Sequence, residues 1–174
     1  MFETIRKAAV SAVLNIFETM YFTFLEPMDE NLQLSEAVSE QEKESDLLPL
    51  SENAGWLKSE IHFNGPYSGF LRLFIPYDFS EMLTKNFMGF EEEVNESQIL
   101  DMAGELTNMI CGNLFSYLDK ASVYTLSSPS TQKMDLQEKL SNVASRDLVL
   151  NFITEGQQVT IDFQFEKPNG AQAR

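Results

Sequence analysis

Within the run Asp101-Met-Ala-Gly104-Glu105-Leu-Thr-Asn108-Met-Ile-Cys111-Gly112, a carboxylate and a carboxamide stand three residues apart. At about 100° per residue, Asp101, Glu105, Asn108 and Gly112 fall within about 60° of arc on one helical face. Ile99, Ala103, Leu106, Ile110 and Leu114 gather on the opposite side. The asparagine side chain is no base. It offers a carbonyl oxygen and two N–H donors, so it orients a water instead of deprotonating it. Residues three apart are neighbours on a helix, which sets the Glu105 carboxylate beside that amide. The helix also tolerates Gly104 and Gly112, each costing about 1 kcal/mol relative to alanine. A glycine on an exposed helical face invites another surface to approach. The competing reading is a solvated polar stripe. For Asp101 it is stronger, because an acid in the first turns complements the helix dipole.

Other chemistries find little support. The chain has 174 residues and 14 phenylalanines, enough for one domain with its own core. Its net charge of −15 argues against nucleic acid and against anionic membrane surfaces as partners. The lone Cys111 has no disulfide partner within the chain, and a buried inert thiol in a cytoplasmic protein is the expected case. A zinc site needs more Cys or His than Cys111 and His62. No nucleophile elbow accompanies His62, and Ser130-Thr-Gln-Lys133 lacks the companion motifs of the penicillin-binding enzymes. Ala8–Leu25 is long enough to span a bilayer, but Asn15, Glu18 and Thr19 interrupt it, which favours a core helix over a membrane span.

The elements that must hold the polar face follow from periodicity and punctuation. The first helix is expected from about Glu3 to Leu25, stopped by Pro27. Asp29–Gly55 carries eight acids against Lys43 alone and reads as a mobile, solvated insertion. Trp56–Phe63 and Ser68–Pro76 alternate as strands around a Gly65-Pro66 turn. Asp78-Phe-Ser-Glu81 resembles a capping box opening a short helix that ends near Gly89, and Asn95-Glu-Ser-Gln98 a second box opening the polar-faced helix, which ends near Asp119. Ser122–Ser128 reads as a strand. Ser130–Arg146 is ambiguous, with Asp135-Leu-Gln-Glu138 offering a cap. Asp147–Thr154 and Gln158–Glu166 form a hairpin, and residues 169–174 a polar tail. The expected fold is α+β: two pseudo-repeated helix–strand–strand units forming a mostly antiparallel sheet, with two long helices on one face, in a single domain over 1–168.

Glu105-Leu-Thr-Asn108-Met-Ile-Cys-Gly112 resembles the Glu-x-x-Asn-x-x-x-Gly signature of the CheC/CheX/FliY phosphatases, and most closely the CheX branch. Asp101, four residues before the glutamate, fits the pattern, as does Pro129 at its distance beyond the asparagine. The resemblance implies a phosphatase that removes the aspartyl phosphate of a response-regulator receiver domain of the CheY kind. It assigns Asn108 to a water in line with phosphorus and Glu105 to a lysine of the receiver. Asp101, Gly112 and Pro129 would support the site or the docking. The magnesium would be the receiver's, with no cofactor held by this chain. The resemblance also allows a homodimer through sheet edges. Glu18 of the first helix answers Glu105, but Tyr21 stands where Asn108 falls, so one site at most is expected. The alternative is a non-catalytic module of the same fold that binds a receiver or mediates dimerisation.

Overall fold

The computed structural model describes residues 2–28, 55–89, 93–118, 122–142 and 148–166. The acidic segment expected to be mobile, apart from Gly55, and the tail at 169–174 lie outside the described residues.

The first helix, α1, spans Phe2–Tyr21 and is followed by a two-residue strand, β1 (Glu26–Pro27). It stops four residues short of the expected end because Phe22 turns left-handed, with φ 53°, and the Thr23 N–H donates to the Phe17 carbonyl at 3.0 Å. Strands β2 (Trp56–Asn64) and β3 (Ser68–Pro76) form the expected hairpin, in register from Trp56↔Pro76 to Asn64↔Ser68. Helix α2 (Tyr77–Met88) starts directly at the end of β3 and closes at Gly89, whose φ of 65° is the left-handed cap glycine supplies readily. The expected Asp78/Glu81 box does not form. Pro76 occupies the cap position without a side-chain bond, and Glu81 accepts instead from Lys85 Nζ at 2.7 Å.

Helix α3 (Glu96–Leu118) carries the polar face. After it, β4 is confined to Thr125–Leu126, and the ambiguous stretch resolves into β5 (Ser130–Met134) and α4 (Leu136–Asn142). The Asp135/Glu138 box is reciprocal, with bonds of 2.9 and 2.7 Å. Strands β6 (Leu148–Thr154) and β7 (Gln157–Glu166) complete the chain's sheet as a hairpin.

The sheet runs β1-β6-β7-β3-β2, with β4 and β5 both pairing to β2, and all pairings are antiparallel. The two hairpins meet at its centre through β3 and β7. One face, including Leu57, Ile61, Leu73 and Ile161, packs under α1 and α3 in the main core. Alternation then sends Trp56, Phe74 and Met134 to the other face, where they form a second cluster against Leu136 of α4. Lys139 of α4 lies 3.5 Å from the Trp56 ring centroid, and burial lowers its amine to about 8. No helix among the described residues is long and apolar enough to cross a membrane.

Candidate active site

The site is built on α3, which is fixed at three points. At its start the Asn95/Gln98 box is reciprocal: the Gln98 N–H donates to Asn95 Oδ1 at 3.0 Å and the Asn95 N–H to Gln98 Oε1 at 2.8 Å. One residue on, Glu96 accepts from Lys133 Nζ at 2.7 Å, tying the first turn to β5. Two turns further, the segment leading into β5 lies against the helix at Gly104. A Cβ there would sit 3.4 Å from Thr131 Oγ1 and 3.5 Å from Pro129 Cβ. Gly104 is therefore buried against this chain's own strand, at distances a Cβ would meet as ordinary van der Waals contact. Thr131 is itself held, its hydroxyl donating to Ser59 Oγ of β2 at 3.0 Å.

This framework points the expected residues outward together. Ile99, Ala103, Leu106, Ile110 and Leu114 are all buried, so the opposite face must be the accessible one. Asp101 and Glu105 are exposed, while Asn108 and Gly112 are half-buried on the turns that follow. Asp101, Glu105 and Pro129 share an open cleft of about 380 Å³, with Gly104 and Thr131 as its floor. Asn108 lies one turn from Glu105, outside the cleft lining but on the same face. Beyond it, no neighbouring element among the described residues stands within 4 Å of the place a Gly112 Cβ would take, which leaves room there for an approaching surface. Cys111 is fully buried, and burial pushes its thiol up to about 12, which removes it from nucleophilic chemistry near neutral pH.

The corresponding position on α1 differs in kind. Tyr21 is 1% exposed, and its hydroxyl has no hydrogen-bond partner among the described residues. Burial, and after it the negative charge of Glu105, raises the phenol above its ordinary value, so the end of α1 lies within electrostatic reach of the polar face. No three His, Cys, Asp or Glu side chains converge as a metal cage among the described residues.

One feature was not legible in the sequence. A groove of about 590 Å³ lies beside the end of α1, bounded by Phe22 and Phe24, by Met82 of α2 and by Glu155 of the β6–β7 turn. Its residues come from three distant stretches, and no local pattern connects them.

Solved structures sharing this layered arrangement include CheX, CheC-like and FliY proteins, and the chain has their fold. CheX from Vibrio vulnificus superposes with a TM-score of 0.66 at 15% identity, over 93% of this chain and 96% of that one. The CheX of a Borrelia burgdorferi CheX–CheY–BeF3–Mg2+ complex gives 0.59 at 14% identity, over 92% and 97%. FliY from Thermotoga maritima gives 0.55 at 11%, over 91% and 85%. At these identities the likeness is one of fold. The sequence goes further: residues 59–163 match the family described as "Chemotaxis phosphatase CheX", and the chain belongs to that family. Among curated proteins the sequence finds no significant match.

Proposed function

We propose that this chain is a cytoplasmic protein phosphatase that hydrolyses the aspartyl phosphate of a CheY-like receiver domain. The observation that carries the reading is the outward presentation of Glu105 and Asn108 on one face of a helix whose reverse face is core, in a member of the chemotaxis phosphatase family. The Borrelia burgdorferi CheX, solved in complex with CheY, supports the choice of partner.

In this reading Asn108 holds a water in line with phosphorus through its amide oxygen and nitrogen. The water oxygen bonds to phosphorus, the bond from phosphorus to the receiver's aspartyl oxygen breaks to leave a carboxylate, and both of the water's protons leave with inorganic phosphate as dihydrogen phosphate. The transition state of such transfers is loose, so the water needs little prior deprotonation and positioning is the larger share of the work. A helix anchored at Asn95, Glu96 and Gly104 limits drift of the amide. Glu105 pairs with a receiver lysine and sets the angle of approach. Asp101 and Pro129 shape the cleft at its side, and Gly112 leaves clearance. The receiver brings the magnesium. A homodimer through a sheet edge, at β1 or at β4 and β5, belongs to the same reading and is checked by solution mass.

The test is phosphate loss from candidate phosphorylated receivers with and without the protein. Acceleration that disappears in Asn108→Ala supports the assignment. A receiver that co-purifies with the protein, yet keeps its phosphate as long as it does alone, identifies a non-catalytic binding module instead.

A further inference from the structure

The groove beside the end of α1 is separate from the Asp101/Glu105 cleft, and its construction is unusual for a surface left to solvent. Phe22 is 81% exposed and Phe24 72% exposed. Phe22 also sits at a φ of 53°, where glycine or asparagine is cheaper by roughly 1 kcal/mol. A large apolar ring is thus held in water at a position that disfavours its residue type. Met82 of α2 adds a third partly exposed apolar side chain, at 39%. The charges at this groove have one sign. Glu26 and Glu155 line it, and no Lys, Arg or His does so among the described residues. Glu155 is the first residue of a tight β6–β7 turn, its φ of 46° followed by Gly156 at 78°, so the hairpin fixes where that carboxylate stands.

Aromatic faces beside carboxylates recognise cations carried on apolar stems: the ring attracts the charge, the carboxylate pairs with it, and the stem lies along the hydrophobic floor. We propose that this groove is a docking site for a basic segment of a partner protein, an extended stretch in which lysine or arginine alternates with apolar residues. Charge disfavours a second copy of the chain in this place. A second copy seated on this groove by a two-fold axis would set Glu26 and Glu155 against the same carboxylates. The site does not depend on phosphatase activity.

The probe is a fluorescein-labelled peptide, Lys-Leu-Lys-Phe-Lys-Leu, capped at both ends, with a control in which glutamate replaces lysine. Full-length protein is titrated into each at 0.15 M salt and again at higher salt. Saturable binding of the lysine peptide alone is expected. Phe22→Ser/Phe24→Ser, which leaves the charge unchanged, should weaken it about tenfold, and Glu26→Gln/Glu155→Gln by a similar factor. Backbone NMR shifts should concentrate at 22–26, 82–86 and 153–156. Binding unaffected by the phenylalanine substitutions would be mere attraction to an acidic protein and would overturn the proposal, as would shifts located elsewhere. Two other occupants are outcomes of the same variants. Wild-type co-sedimentation with phosphatidylcholine vesicles, lost in Phe22→Ser/Phe24→Ser, would assign the groove to a lipid surface. A concentration-dependent dimer lost in that variant would assign it to a second copy.

Discussion

Glu18 and Tyr21 on α1 have the same spacing as Glu105 and Asn108 on α3, and both glutamates are exposed, yet the residues three positions on differ in environment. On α3 the residue after the glutamate pair spacing is a half-buried amide beside open space. On α1 it is a phenol sealed between Phe17 and Phe87, with ring centroids 6.0 and 5.5 Å away. The cause is what each helix meets. α1 ends under α2, which brings Phe87 onto Tyr21, whereas α3 meets β5 at Gly104 and, among the described residues, has no neighbouring element within 4 Å of a Cβ placed at Gly112. A spacing of three places two side chains together, but the neighbouring elements decide whether they face a partner or the core.

Breaking the exposed pair should have the largest effect. Asn108→Ala is expected to lower receiver dephosphorylation by roughly a hundredfold or more, since a misplaced reacting group costs on that order. Its thermal unfolding should stay within about 1 kcal/mol of the parent, because the half-buried side chain lies on the helix face opposite the core. A stopped-time phosphate assay with a melting curve separates the two. Glu105→Lys comes next. Reversing a docking charge should slow association and raise KM by about tenfold, less so at high salt. An equal fall in kcat with unchanged KM would move Glu105 from docking to chemistry.

Much of the framework was legible because it rests on local rules. Alternation from Leu57 to Phe63 gave β2 its buried face, and the Asn95/Gln98 and Asp135/Glu138 boxes are both reciprocal. The Asp78/Glu81 box was misread since the same residue types have another outlet: Lys85 takes Glu81, and the helix begins straight from Pro76. β5 escaped a periodicity argument because edge pairing with β2, not burial, makes Ser130–Met134 a strand. Ser122–Ser128 looked like a full strand, but only Thr125 and Leu126 pair, while Ser127 bonds to the backbone of His62 at 2.9 and 3.0 Å. At the site, one helix turn after another is a sequence property, so Asp101, Glu105, Asn108 and Gly112 could be aligned in advance. That Gly104 faces Pro129 and Thr131 is a tertiary fact with no local signature.

The buried member of the comparison has its own test. Tyr21→Phe deletes only a hydroxyl that lacks a partner among the described residues, so it should raise stability by about 1 kcal/mol or more. Phosphatase activity should not change. A loss of activity would mean that the phenol steadies Glu105, whose charge it senses, and the separation between the two regions would fail.

The glycine one turn beyond Asn108 gives the sharpest probe of what the bare face is for. Among the described residues no neighbouring element lies within 4 Å of a Cβ added at Gly112, so Gly112→Ala meets no steric cost from them and gains about 1 kcal/mol of helix propensity. A residue kept only for folding would show that gain with unchanged activity. If a receiver closes over this turn, the same methyl group stands in the contact, and the variant becomes more stable while its KM rises. Measuring both quantities on one preparation distinguishes a glycine that the fold merely tolerates from one that leaves room for a partner.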